Sequence, residues 1–380
     1  MFFGLKRFDI GAPFATRQCG HLSQVEKIDT YHDALEGRAF YIADAKTKVL
    51  HVSLDLLAFD EEHRNALQEE LRKVYGTDLH LVTSCTHTHY GNDVKDEAYQ
   101  KYLMEKLLKE LSTIEIKDVG MMSYDMKTIH YDEVGRSRIS GYESHNEYLT
   151  LIRLYASDKE LLDIIVYNCH PTILEANVPY FSSEFPGYVL KRLSEEYPNA
   201  FTYMSGAMGD ISTRFTRSGQ DYEALVELAD KLYHKVKELK DIRSEKKELA
   251  LSYDEKVIAY HHTFDPIDLT KIRSDLSARE LETIKFGEIM RSKLDRDLVN
   301  KSAILAKLSL GKDKILFYPN EIFSAYLDHI NKDDTVFVSY SNGYGPYILP
   351  LDFPYITYEM FTDTLDRDTK ERIIKALKEA

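Results

Sequence analysis

Read for the spacing of its apolar positions, the chain alternates strand-like runs with helical stretches from end to end. Residues 39–42 and 49–54 read as neighbouring strands about a polar turn. Leu67, Leu71 and Val74 recur at helical spacing between Glu61 and Tyr75, and Gly76 closes that helix. A short apolar run from Leu79 then ends in Thr86-His87-Thr88-His89-Tyr90-Gly91, before a helix over 96–112 with Tyr99, Leu103, Leu107 and Leu111 on a broad apolar face. Strands follow at 149–155 and 161–167, the second ending in Asn168-Cys169-His170-Pro171-Thr172. A helix over 185–196 leads to a strand at 201–204 and a small-residue loop, Ser205-Gly206-Ala207-Met208-Gly209-Asp210-Ile211-Ser212. The remainder reads as a helix over 221–239, a strand region over 249–260, strands at 303–308, 315–317 and 335–340, and a helix over 368–378.

This order predicts an α/β protein with a mixed β-sheet core, covering helices and an active site at strand ends. No internal repeat, low-complexity tract or Pro/Ser-rich linker is evident, so residues 1–380 are expected to form one domain. The densely charged piece over 265–300, helical in pattern over 280–294, is the candidate for an exposed insertion or lid.

Composition narrows the function classes. The chain has 380 residues, 43% of them hydrophobic and 29% charged, which places it in the ordinary globular range. A net charge of −14 works against nonspecific binding to nucleic acid or to an anionic membrane face. Cys19, Cys85 and Cys169 are odd in number and lack CxxC spacing, so neither a disulfide framework nor a cysteine zinc knuckle is expected. No apolar run reaches membrane-spanning length and no signal-peptide core is seen, so a cytoplasmic protein is expected.

Chemistry-bearing groups recur where apolar runs end. In an extended backbone His87 and His89 project to the same side, so the pair can share one small site, one ring as a metal ligand and the other as ligand or proton-transfer group. His170, Asp210 with Ser212, Glu321, and Tyr344 with Tyr347 sit at other strand ends. Two histidines and a carboxylate suit catalytic zinc with a position left for water, and zinc would acidify that water and polarise a carbonyl. Asp210 either orients a ligand or caps the following turn. Cys85 and Cys169 read as packing residues, and His261-His262 as an ordinary pair. GxGxxG, Walker and GxSxG motifs do not occur, which argues against dinucleotide, phosphate-loop and serine-hydrolase chemistry.

The motifs, taken in order, resemble the neutral/alkaline non-lysosomal ceramidases, which are zinc-dependent amidases. They are Ile28-Asp29-Thr30-Tyr31-His32-Asp33 with Val52-Ser53-Leu54-Asp55-Leu56, Thr86-His87-Thr88-His89-Tyr90-Gly91, Gly135-Arg136-Ser137, and His170-Pro171-Thr172. Gly209-Asp210-Ile211-Ser212, Pro319-Asn320-Glu321, Asn342-Gly343-Tyr344-Gly345-Pro346-Tyr347 and Tyr358-Glu359 complete the set. The resemblance implies Zn2+ held by His87, His170, Glu321 and Tyr347, with His89 moving protons. It also implies that Arg136 and Tyr358 face the substrate or the developing oxyanion, and that Ser212 is a nucleophile or substrate contact. Water activated by zinc is preferred to Ser212 as nucleophile, because no base is tied to that serine in the sequence. The resemblance covers the family's catalytic part, without the leader and C-terminal β-sandwich domain of its secreted members. The serine motif continues Thr213-Arg214 where the ceramidases have Pro-Asn, so an N-acyl amide is implied more firmly than ceramide itself. The expected partner is a small or amphiphilic N-acyl substrate, with no nucleic acid and no transmembrane segment. The rival readings are a binding or regulatory protein on the same scaffold, and a hydrolase of a non-sphingolipid substrate.

Overall fold

The computed structural model describes all residues except 21–25, 243, 293 and 295–298. One arrangement occurs three times along it: three antiparallel strands, a helical crossover, a fourth strand parallel to the third, then a covering helix. In the first unit Phe2–Asp9, Glu36–Ala43 and Lys48–Leu54 lie side by side, the helix Glu61–Tyr75 crosses over, Leu79–Cys85 adds in parallel and the helix Glu97–Leu111 follows. The second unit repeats this with Met122–His130, Tyr148–Ala156, Lys159–Tyr167, the helix Glu184–Glu196, Ala200–Ser205 and the helix Tyr222–Asp241. The third uses Leu251–Ala259, Ser302–Leu310, Lys314–Phe317, Thr335–Val338 and the helix Arg367–Glu379. Its crossover is a six-residue 3-10 turn, Ser324–His329. The sequence shows no repeat because the units share topology and not residues, and this shortened crossover removes any common period.

The three sheets face one another. Phe40, Ile42 and Val49 of the first, Ile152, Ile164 and Met204 of the second, and Leu308, Phe317 and Val338 of the third share one apolar core. On the other side, Tyr41, Leu50 and Leu81 pack with Leu67, Leu71, Leu103 and Leu107 of the first unit's helices. Strands covered on both faces must be apolar at nearly every position, which is why Glu36–Ala43 is buried from Gly37 onward. Each fully buried Leu, Ile, Val or Phe in this core contributes about 1.5–3 kcal/mol. Cys85 and Cys169 are fully buried in the same apolar packing.

Of the strands that build the three units, two escape the sequence reading. Phe2–Asp9 carries Gly4, Lys6 and Arg7, and Met122–His130 carries Asp125, so neither shows an apolar run. Asp125 is tolerated because Arg153 Nε and the Tyr155 hydroxyl donate to its carboxylate at 2.9 and 2.8 Å.

The charged insertion folds in part as the helix Ala278–Ser292, largely exposed, with only Ile284 and Gly287 buried. Gly287 lies against Phe361 of the short helix Tyr358–Thr362. The rest of the expected 280–294 helix and 265–300 insertion includes 293 and 295–298, which lie outside the described residues. No described helix is long and apolar enough to cross a membrane.

Candidate active site

The fourth strands of the three units converge at their C-terminal ends. Cys85 N donates to Tyr340 O at 3.1 Å, Ser339 N to Ser205 O at 2.8 Å, and Ser205 Oγ to Thr86 O at 2.9 Å, closing a triangle. Each unit therefore delivers its strand-end loops to one place, the usual location of sites in sheets with parallel pairs.

His87 is not on the strand. The strand ends at Cys85, and His87 takes a left-handed conformation, φ 63°. Convergence with His89 comes from this turn and not from strand alternation, which corrects the sequence argument while keeping the rings together, their centroids 5.1 Å apart. The segment after Lys48–Leu54 fixes His87 twice: its N–H donates to Leu56 O at 3.0 Å and its Nδ1 to Leu57 O at 2.7 Å. Arg38 Nη1 holds Asp55 at 2.9 Å on both carboxylate oxygens, which anchors that segment. Tyr340 stacks on the other face of His87, with centroids 3.8 Å apart and planes at 25°.

His170 is held in the same way by the second unit, both its N–H and its Nδ1 donating to Ile211 O at 3.1 Å. A carbonyl only accepts, so in both rings Nδ1 carries the proton and Nε2 the lone pair. Those two Nε2 atoms face one oxygen, Glu321 Oε2, at 3.6 Å from His87 and 3.3 Å from His170. Burial pushes the His87 imidazole down to about 3, and burial with the Arg138 charge lowers that of His170. Both rings are thus neutral near pH 7. Burial opposes ionisation of Glu321, whereas the Tyr344 hydroxyl and positive charge at the His87 and His170 side favour it and lower its carboxyl. A carboxylate facing two lone pairs needs a positive charge between them. Ligand atoms of His87, His89 and His170 lie within 4.8 Å of one another, close enough to hold a metal ion.

Glu321 lies on Asn320–Ile322, which pairs in parallel with Gly345–Ile348 and sets Glu321 opposite Tyr347. The Tyr344 hydroxyl donates to Glu321 Oε1 at 2.6 Å and the Tyr340 hydroxyl reaches Oε2 at 3.4 Å. Tyr347 lies beside Glu321 on the paired strand, and its own hydroxyl is pushed well up, by burial first. Three tyrosines thus surround the carboxylate. Asp210 neither touches a histidine nor caps the turn after it; it accepts from Ser324 N at 2.7 Å and Ser324 Oγ at 2.9 Å, tying the Glu321 segment to the second unit. Gly209 makes that junction possible, since a Cβ there would stand 2.8 Å from Glu321 O.

A cleft of about 330 Å³ opens beside this centre, lined by His89, Ser212, Tyr347 and Tyr358 among others. Of the three clustered histidines, only His89 lines it. Ser212 bridges His170 through the backbone, and its Oγ accepts from Arg214 N at 3.2 Å. Tyr358 opens its short helix, with its ring 6.2 Å from that of Tyr347.

Arg136, expected to face the substrate, turns away. Its side chain is 54% exposed and pairs with Asp132 at 3.0 Å, and it does not line the cleft. The arginine that this loop sends into the cleft is Arg138, two residues on and missed by the sequence reading. Arg138 N donates to Asp210 O at 2.7 Å, and its side chain passes over the Tyr347 ring at 5.2 Å to meet Glu359 Oε1 at 2.8 Å. The Gly135-Arg136-Ser137 motif marks the right loop, but nothing in its spacing tells Arg136 from Arg138. His262 is an ordinary residue as expected, bonded to Thr364 Oγ1 and Asn300 O.

Three α/β units meeting at one buried His/Glu centre define a fold shared with the neutral ceramidases. The neutral ceramidase from Pseudomonas aeruginosa matches with a TM-score of 0.74 at 13% identity, covering 99% of this chain and 73% of that one. A ceramidase complexed with C2 matches with a TM-score of 0.76 at 15% identity, covering 99% and 74%. At these identities the likeness is one of fold. No family model matches the sequence, and no curated protein matches it.

Proposed function

We propose that this protein is a zinc-dependent amidohydrolase that cleaves an N-acyl amide, ceramide-like in its chemistry, with water as the nucleophile. The observation that carries the reading is the facing of two unprotonated Nε2 atoms and one carboxylate oxygen, a donor set that suits zinc. His87, His170 and Glu321 would hold the ion, with Tyr347 beside Glu321; bound there, zinc supplies Lewis acidity to an amide carbonyl and acidifies water.

The protein's own groups supply the rest of what amide hydrolysis needs. Arg138 is a fixed donor for charge developing on the carbonyl oxygen. His89, alone of the three histidines in reaching the cleft, accepts a proton from water and returns it to the departing amine. Ser212 and Tyr358 contact and orient the substrate. No side-chain base bonds Ser212 Oγ among the described residues, which supports water as the nucleophile. The cleft volume of about 330 Å³ lies at the small end of ligand sites, which favours a compact substrate over a two-chain lipid.

Metal analysis of the purified protein together with turnover of N-acyl chromogenic amides tests the reading. Stoichiometric zinc, activity lost on chelation and in His89→Ala, and activity kept within tenfold in Ser212→Ala are expected. Folded protein that binds zinc and turns over none of a broad amide and ester panel would instead make it a binding or regulatory protein on this scaffold.

A further inference from the structure

The cleft carries more positive charge than amide chemistry requires. Arg138, Arg214, Arg217, Arg273 and Arg279 line it, against two carboxylates, Glu280 and Glu359, in a chain whose net charge is −14. Three of the five have acidic partners. Arg138 meets Glu359 at 2.8 Å, Arg214 meets Glu280 at 3.4 Å and Arg273 meets Asp275 at 2.6 Å. Arg217 and Arg279 pair with no carboxylate among the described residues.

Their placement is specific. Arg217 Nη1 donates to the carbonyls of Thr172 and Ile173, which fixes its guanidinium against the loop that follows His170. Arg279 projects from the first turn of the exposed helix Ala278–Ser292. The two feel each other: burial first, then the Arg279 and Arg214 charges, push Arg217 below the usual guanidinium range. Like charges that Glu184 offsets only in part cost free energy that an anionic ligand would recover. Ile139, Leu174, Leu276 and Ile284 complete an apolar wall around them.

We propose that the cleft selects N-acyl amides whose amine side bears an oxyanion, a carboxylate or phosphate close to the scissile bond, bound between Arg217 and Arg279. The proposal rests on the hydrolase reading of the neighbouring centre, and it names the substrate class. Guanidinium forks match carboxylate and phosphate geometry, and Arg217 is pinned two residues from His170, so the anion lies within a few atoms of the amide.

The test compares four compounds with one acyl chain: an N-acyl amino acid, its methyl ester, an N-acylethanolamine and its O-phosphate. An at least tenfold higher kcat/KM for an anionic member over its neutral partner is expected, and the carboxylate and phosphate pairs say which oxyanion is meant. Arg279→Gln and Arg217→Gln should bring that ratio towards one, as should high salt. Arg279 is exposed, so its variant reports even if Arg217→Gln fails to fold. A neutral member preferred, or a ratio unmoved by Arg279→Gln, overturns the proposal. If no amide is cleaved, calorimetric titration of the same four compounds decides. Anionic members bound tenfold tighter, with the difference lost in Arg279→Gln, keep the anion site while the hydrolase reading falls; equal binding removes the anion site as well.

Discussion

His170 Nε2, its ring proton engaged at Nδ1, stands 3.3 Å from Glu321 Oε2, a nitrogen lone pair facing a carboxyl oxygen. The His170 proton is engaged at Nδ1 by Ile211 O, and burial disfavours a second. A cation satisfies both atoms; without one, two buried acceptors face each other at a cost of a few kcal/mol. Purified protein is therefore expected to hold one metal equivalent, and Glu321→Gln and His170→Ala to lose it. Chelation should lower the unfolding midpoint by roughly 3 °C, since a ligand at a hundred times its Kd stabilises by about 2.7 kcal/mol. Metal-free protein whose midpoint ignores chelator would remove the metal centre.

A second prediction concerns His51, which lies in the central core away from the cleft. It stacks between Phe40 and Phe317, with Nε2 3.0 Å from Ser84 Oγ, and burial pushes its imidazole down to about 3. In the unfolded chain it titrates near 6.5. Between those values the unfolded state binds a proton that the folded state refuses, so stability is fully present above pH 6.5 and falls as pH drops towards 3. The slope is up to about 1.4 kcal/mol per pH unit. Denaturant unfolding of chelated protein at pH 7 and pH 5 should show His51→Leu losing about 2 kcal/mol less than wild type over that interval. Equal losses would mean that His51 is protonated in the folded state.

Gly20 gives the third. It has φ 120°, and a Cβ there would lie 2.7 Å from His89 Cγ. Gly20→Ala should therefore disturb the ring that this reading assigns to proton transfer, besides adding about 1 kcal/mol of backbone strain. A drop in kcat of tenfold or more is expected, with metal content kept and the pH–rate profile shifted. Unchanged kcat in folded Gly20→Ala would argue that His89 moves no proton.

What could be read beforehand follows from which interactions are local. Apolar spacing finds the strands that are covered on both faces, such as Lys159–Tyr167, and helices with aspartate caps, such as Glu97–Leu111 capped by Asp96. It misses Phe2–Asp9 and Met122–His130, whose charged residues find partners elsewhere in the chain, Arg7 at Glu36, Lys6 at Glu110 and Asp125 at Arg153. At the site, His87, His170 and Glu321 announce themselves as metal-capable groups ending apolar runs. The tyrosines are harder, because Tyr340, Tyr344 and Tyr347 all lie beside Glu321 and their spacing does not rank them. The threefold recurrence of strand order, which explains why these ends meet, has no trace in the residues.

Arg136 and Arg138 give the sharpest contrast between motif and geometry. Both are arginines of one loop, but Asp132 takes Arg136 to the surface, while Asp210 O anchors Arg138 and Glu359 orients its guanidinium inside the cleft. If a fixed donor to the developing oxyanion speeds amide cleavage, its loss lowers kcat by about 10²–10³ with a smaller change in KM. That loss is expected in Arg138→Met, and Arg138→Lys should restore only part of it because an ammonium cannot keep both the Glu359 contact and the forked geometry. Arg136→Met, which removes only an exposed ion pair worth little, should stay within twofold of wild type. The reverse order in steady-state kinetics on one N-acyl amide would mean that the loop rearranges on binding and that the motif identifies the donor better than the unliganded geometry does.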